Sequence, residues 1–399
     1  MVQLGDLTMN IVLFSDTYPP EINGVATSTY NLATTLKAHG ERVLVVTTNP
    51  YGNQFAYEDG VVRVPGIQLK RLYNYRLPTP YNRKAAQIIR DFHPNVIHVQ
   101  TDSSVGIFGS MMADQLHIGK IYTFHTMIED YTYYITHGHF DRVARHCIRA
   151  FYREKTRDFG AIISPSEKTY DYLRMVGIDA NIAVIPTGID FERFSLKNEN
   201  KSETEELKRK YGIQPDEYVV LSLGRVAKEK SIDVLLRGYA RFLKNSPSRK
   251  TKFVITGWGP AEKELQDLAH ELQIESNVVF TGKVSPNETQ KFYHLGDCFV
   301  SASVTETQGL TFMEAMAASL PVLARYDDNL VGTIQDGSTG FFFFDEMDFP
   351  ERLEHVMNLK EEAKEKIIQS ALGIIDVYSL ERFYQNIMEV YRRVVRQNW

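Results

Sequence analysis

Short aliphatic and β-branched runs recur along the chain, separated by longer mixed stretches. In the first half they are Ile11-Val12-Leu13-Phe14, Val43-Leu44-Val45-Val46, Val96-Ile97-His98-Val99, Ile121-Tyr122-Thr123-Phe124 and Ala161-Ile162-Ile163. A strand with one wet face alternates polar and apolar residues, whereas a nearly continuous apolar run reads as a strand covered on both faces of a parallel sheet. Helix-length segments, such as Thr27 to Ala38 and Arg142 to Thr156, lie between several of these runs. The first half therefore predicts a doubly wound α/β sheet.

The stretch Lys197-Asn198-Glu199-Asn200-Lys201-Ser202-Glu203-Thr204-Glu205-Glu206 has no apolar residue, which makes it the best candidate linker. Strand patterns then resume at Tyr218 to Leu223, Lys252 to Ile255, Val278 to Phe280, Cys298 to Val300 and Pro321 to Leu323, predicting a second parallel sheet. The expected division is a first domain over 1–196 with 1–8 as a non-core extension, a linker over 197–210 and a second domain over 211–379. A length of 399 residues suits two cores better than one. Phe341-Phe342-Phe343-Phe344 stands out as a compositional tract.

With 43% hydrophobic and 24% charged residues, disorder is excluded as the main state. A net charge of −5 gives no support to nucleic-acid binding, which calls for a basic excess. The charge is unevenly shared: residues 1–197 hold 20 Lys+Arg against 19 Asp+Glu, and the remainder hold 25 against 31. Cys147 and Cys298 form neither a disulfide framework nor a metal motif, so a reducing, cytoplasmic setting is expected. No apolar stretch reaches 18 residues, and the first eight lack the charged and apolar regions of a secretory leader. Binding to a membrane surface stays open, because it needs only a basic and aromatic face.

Several clusters carry candidate chemistry. Glu306-Thr307-Gln308-Gly309-Leu310-Thr311-Phe312-Met313-Glu314 follows one strand and opens a helical run. Backbone N–H groups near Gly309, Leu310 and Thr311 can hold an anion at the helix start, while Glu306 and Glu314 can accept hydrogen bonds from hydroxyls on either side of it. Gly224-Arg225-Val226-Ala227-Lys228-Glu229-Lys230 lies at the carboxyl end of another strand, where open α/β sheets bind ligands. Arg225 can fork onto phosphate oxygens and Lys230 adds a mobile charge. Gly257-Trp258-Gly259-Pro260 would let backbone approach a ligand, but lacks the Gly-x-Gly-x-x-Gly dinucleotide pattern. In the first half, Asp16 can take a hydroxyl, Gly24 permits close approach, and His125 ends a strand. His137, His139 and His146 lack the companions of a recognisable metal site. Each cluster also has a bland reading as a tight turn or solvated loop.

Residues 61–90 carry seven basic side chains and no acid, with Arg71, Tyr73, Tyr75 and Arg76 at the centre. Arg142, Arg145, Arg149 and Arg153 repeat at helical spacing. Both segments suit an anionic lipid surface, where each basic residue adds about 1 kcal/mol.

Taken in order, Phe14-Ser15-Asp16-Thr17-Tyr18-Pro19-Pro20 with Asn23-Gly24-Val25, His125, Pro186-Thr187-Gly188-Ile189-Asp190, Gly224-Arg225 with Lys230, Gly257-Trp258-Gly259-Pro260 and the Glu306 to Glu314 motif resemble the two-Rossmann (GT-B) retaining glycosyltransferases of family 4. The resemblance implies an α/β fold of two Rossmann-like domains facing a cleft, with a helix over 380–399 returning to the N-terminal domain. It implies that Arg225 and Lys230 hold the donor diphosphate and Glu314 the ribose. Glu306 with the backbone at Gln308, Gly309, Leu310 and Thr311 would hold the sugar, Gly24 would approach the phosphates, and His125 would contact the sugar near the reacting carbon. Asn23 stands where the family usually has a second glycine.

Tyr18 to Ser28, Thr123 to Thr126 and Glu306 to Thr311 are similar to bacterial diacylglycerol glucosyltransferases. That group implies UDP-glucose as donor, diacylglycerol as acceptor, an α-glucoside as product, and peripheral attachment to the inner face of the cell membrane. No cofactor is implied; a divalent metal is permitted but not required. A soluble sugar or protein acceptor, or a non-catalytic nucleotide-sugar-binding scaffold, are the rival readings.

Overall fold

The computed structural model describes residues 8–21, 23–69, 75–78, 80–125, 141–304, 306 and 308–397. The chain forms two compact units, one of Met1–Gly188 with Leu380–Trp399 and one of Ile189–Ser379.

The first unit is built on β1 (Asn10–Phe14), β2 (Arg42–Thr48), β3 (Ala56–Glu58), β4 (Val61–Val64), β5 (Gly66–Leu69), β6 (Tyr75–Pro78), β7 (Val96–Val99), β8 (Gly119–Thr123), β9 (Ala161–Ser164) and β10 (Ile182–Val184). Eight of these form one sheet in the order β10-β9-β8-β7-β1-β2-β4-β3, while β5 and β6 pair separately. Every pair in the sheet is parallel except β3 with β4. The expected apolar runs are the central strands, because both of their faces are covered. Val12, Phe14, Val46, Tyr122 and Ile162 pack beneath the helices Arg83–Phe92, Ser104–Leu116 and Asp141–Thr156 on one face. Ile11, Leu13, Val45, Ile121 and Ile163 pack on the other.

That second face is closed by the final helix, Leu380–Gln397, which buries Phe383, Ile387, Met388, Val390, Tyr391, Val394 and Val395. At roughly 1.5–3 kcal/mol for each fully buried apolar side chain, this docking is a main source of the unit's stability. His98 links the helix to the sheet, its Nδ1 lying 2.7 Å from Tyr391 Oη and its Nε2 2.7 Å from Thr123 Oγ1. The return of the last helix agrees with what the resemblance implied.

The second unit contains β11 (Tyr218–Leu223), β12 (Thr251–Thr256), β13 (Val278–Phe280), β14 (Cys298–Ser301), β15 (Val322–Arg325) and β16 (Phe341–Phe343). Their order, β13-β12-β11-β14-β15-β16, is the doubly wound 3-2-1-4-5-6 arrangement, and all pairs are parallel. Phe341, Phe342 and Phe343 of the phenylalanine tract thus form the edge strand β16, buried along its length, while Phe344 just past it is exposed.

The linker expectation is corrected. Residues Lys201–Lys210 form a helix inside the second unit, and the chain passes between units at Gly188 and Ile189. Asn200 caps it by accepting from Glu203 N, acidic residues sit early and Lys208, Arg209 and Lys210 sit last, an order that complements the helix dipole. Thr204 is buried and Leu207 packs on the core, so a nearly apolar-free sequence is held by its caps and two contacts.

Candidate active site

In the second unit β11 and β14 are neighbours, through Val220 with Cys298 and Leu221 with Phe299, although their following segments belong to opposite halves of the sheet. This is the topological switch point, where the loops after two adjacent strands diverge and leave a crevice. The loop after β11 carries Arg225 and Lys230, and the loop after β14 carries Glu306. Lys230 Nζ donates to Glu306 Oε1 at 2.5 Å, joining residues 76 positions apart. Arg225 forms an ion pair with Glu229, and its side chain is 43% exposed. Sequence reasoning had not singled out Glu229. Two cations therefore stand at the switch point, each held by a carboxylate that a diphosphate, carrying more charge, can displace.

Gly257 and Gly259 meet a packing requirement between two loops. A Cβ on Gly257 would lie 1.9 Å from Gly224 O, and one on Gly259 2.2 Å from Val226 O. Val226 N donates to Trp258 O at 3.2 Å and Ala261 N donates to Val226 O at 3.1 Å. The glycines thus let the loop after β12 lie directly against the Arg225 loop, a backbone packing that leaves no room for a side chain at either position.

The helix Leu310–Ala317 starts from Gly309, whose φ of +74° is the left-handed conformation glycine adopts without strain. Leu310 and Thr311 form its first turn, and Gln308 Nε2 lies 3.8 Å from Met313 Sδ. Glu314, one turn in, accepts from Tyr293 Oη at 2.7 Å. Burial pushes the Glu314 carboxyl up to about 7, with the Tyr293 bond and the Arg193 charge opposing the rise. The group is poised to change charge near neutrality. Tyr293 was not anticipated; its place in an aromatic patch gave no sequence signal.

In the first unit the switch point lies between β1 and β7. Asp16, just past β1, accepts from Val105 N at 3.3 Å, and its own N–H donates to Thr101 Oγ1 at 3.0 Å. That carboxylate oxygen anchors the start of the helix Ser104–Leu116. The helix Gly24–Ala38 begins at Gly24, and Asn23, the departure from the family pattern, caps it by accepting from Ala26 N at 2.9 Å.

His125 follows β8, and its Nε2 lies 2.7 Å from Gln100 Oε1. Burial pulls the His125 imidazole down to about 4 against the opposing charge of Asp102, so the ring is neutral near pH 7. Asp102, past the end of β7, binds Lys155 Nζ at 2.5 Å and also accepts from Tyr122 Oη. Gln100, Asp102 and Lys155 were missed, although the strand-end rule that selected His125 applies equally to Gln100.

Of the expected acceptor-side residues, Arg71 and Tyr73 lie outside the described residues, as do 126–140 with His137 and His139. Tyr75 and Arg76 belong to the backbone of β6, and Arg142 and Arg145 to the helix Asp141–Thr156, where Arg149 is half-buried. Other basic residues of the 61–90 segment serve the unit itself: Arg63 Nη2 donates to Pro19 O at 2.7 Å and Lys84 lies 5.9 Å from the Phe55 ring centre. Among the described residues no helix is long and apolar enough to cross a membrane.

A sequence model described as Glycosyltransferase Family 4 matches residues 22–193, and one described as Glycosyl transferases group 1 matches 203–372. The chain is 35% identical over 396 residues to an alpha-monoglucosyldiacylglycerol synthase of Streptococcus pneumoniae, covering 98% of this chain and 87% of that one. The chain belongs to the family 4 glycosyltransferases. This glycosyltransferase is also 34% identical to an alpha-monoglucosyldiacylglycerol synthase of Acholeplasma laidlawii, over 87% of this chain and 88% of the relative. Its fold is shared with Anabaena HepE, solved in complex with UDP and glucose, at a TM-score of 0.71 and 17% identity over 96% of this chain and 98% of that one. The GT-B glycosyltransferase WaaG superposes with a TM-score of 0.70 at 18% identity, over 94% and 99% of the two chains.

Proposed function

We propose that this glycosyltransferase moves a hexose, glucose from UDP-glucose, onto diacylglycerol with retention of configuration, giving an α-glycosyl lipid. The observation that carries the reading is its near full-length identity of 34–35% with two alpha-monoglucosyldiacylglycerol synthases. Arg225 and Lys230 neutralise the departing diphosphate. Glu314 accepts the ribose hydroxyls, Glu306 with the backbone at Gln308 to Thr311 holds the hexose, and Gly24 approaches the phosphates. His125 contacts the sugar near the carbon that changes partner.

Leaving-group charge grows as the glycosidic bond breaks, and cations already fixed near the phosphates stabilise it without reorganising. Such preorganisation is commonly the largest catalytic contribution. The acceptor reading is supported by the basic segments around Arg71, Tyr73, Tyr75 and Arg76 and along Arg142, Arg145 and Arg149, which suit an anionic leaflet. The enzyme then works while attached to the inner face of the cell membrane.

The test is incubation with a panel of UDP- and GDP-sugars and diacylglycerol in anionic micelles, with product mass and anomeric configuration determined. An α-glucosyl diacylglycerol formed from UDP-glucose is expected. Transfer to a soluble sugar alone, with no sedimentation on anionic liposomes at low salt, would overturn the lipid acceptor. A β-linked product would overturn retention.

A further inference from the structure

Two imidazoles lie close together in the first unit, and they are held differently. His98 has both ring nitrogens engaged, by Tyr391 and Thr123. His125 has a single partner among the described residues, the Oε1 of Gln100 at 2.7 Å. Gln100 is only 2% exposed, and its Nε2 is buried with no acceptor among the described residues. It also lines a cavity of about 10 Å³ that it shares with Ser28, His98, Thr123 and Thr187.

The geometry points to Gln100 as a positioning residue for His125. Its carbonyl oxygen holds the imidazole proton on Nε2 and leaves Nδ1 as the free lone pair, an acceptor for a sugar hydroxyl. An amide suits this task because it is neutral. A carboxylate at the same place would favour the imidazolium, which has no lone pair to offer. The surroundings act in the same direction, since burial keeps the ring neutral despite Asp102. The cavity is at the size that admits one water, and its hydroxyls, with Ser28 Oγ and Thr187 Oγ1 2.9 Å apart, supply the polar partners such a water needs. A water accepting from Gln100 Nε2 matches the amide donor and fixes which way round the amide sits. For its effect on turnover the inference rests on the placement of His125 at the sugar; for the state of the ring it does not.

The experiment uses full-length protein labelled with ¹⁵N-histidine and two-bond proton–nitrogen correlation spectra, the His125 signals being identified by their loss in His125→Asn. At pH 7 the expected wild-type His125 is neutral with its proton on Nε2. Gln100→Leu should populate both tautomers and lower kcat about tenfold, the worth of one neutral hydrogen bond, with a smaller change in KM for the donor. Gln100→Glu should restore the Nε2–H form and raise the pH at which His125 titrates. Unchanged His98 signals report that the core of each variant is intact. A wild-type ring protonated on Nδ1, or the same His125 spectrum in Gln100→Leu as in wild type, would overturn the inference. A changed tautomer with unchanged kcat would leave Gln100's hold on the ring standing and overturn the placement of His125 at the sugar.

Discussion

The two sheets present their candidate residues at equivalent places, the carboxyl ends of strands beside a switch point, yet with contrasting electrostatics. In the first unit His98 and His125 are kept neutral by burial, and Asp102 is matched by Lys155 well inside the unit. In the second, Arg225 and Lys230 carry their charges on more accessible loops, in ion pairs that can be exchanged. The contrast teaches that one topology supplies a position while side chains decide its electrostatics: buried neutral imidazoles at one sheet's edge, exchangeable ion pairs at the other's.

The largest expected effect comes from removing the exchangeable charges. Lys230→Ala should lower kcat ~10²–10³-fold, as loss of one preorganised electrostatic contact commonly does. Arg225→Ala should cost less, because its side chain is 43% exposed and its charge is screened by water. Steady-state kinetics with saturating acceptor measures both. If the two variants retained wild-type turnover, the phosphate role of the second edge would be lost.

Acid separates the two units next. The His98 and His125 imidazoles fall to about 3 and about 4, below the unfolded value, so the unfolded chain binds more protons. The stability they confer is complete above about pH 6.5 and declines as pH falls toward 4, on the order of 5 kcal/mol in all. Glu314 has the opposite sign, since its carboxyl is raised to about 7 and the folded state binds the proton more tightly. Its contribution grows as pH falls from 7 toward 4.5 and is lost as pH rises through 7. Calorimetry should show the first unit's transition moving down with acid over this window while the second unit's does not. A common shift of both would remove the electrostatic contrast.

Gly257→Ala should destabilise the second unit by about 3 kcal/mol, because the new methyl meets a carbonyl oxygen of the Arg225 loop. A shift in that unit's melting transition, with the first unit's unmoved, checks it. The smallest effect concerns donor affinity. A carboxylate accepts hydroxyls more strongly than a neutral carboxyl, so titration calorimetry should show UDP binding tightening about fivefold from pH 6 to 8. Glu314→Gln should flatten that dependence.

Much of the architecture was legible because the central strands are buried on both faces and therefore read as unbroken apolar runs. Failures came where another force replaced apolar burial. Helix Lys201–Lys210 is specified by its cap and charge order, and its lack of apolar residues disguised it as a linker. Strand β16 was hidden in a tract noted only for its composition. At the candidate site, residue types and loop positions were readable, but pairing was not. Lys230 meets Glu306 through the adjacency of β11 and β14, which no local pattern encodes. The role of Gly257 and Gly259 likewise depends on a neighbouring loop from another strand.

The return of the last helix also bears on synthesis. Residues 8–188 leave the ribosome first, but one side of their sheet is completed only by residues 380–397, made after everything in between. The second unit, whose boundary residues Ile189 and Ser379 pair with each other, has all its parts sooner. The earlier part of the first unit must therefore keep an apolar surface waiting, in reach of chaperones, until residues 380–397 have also been made.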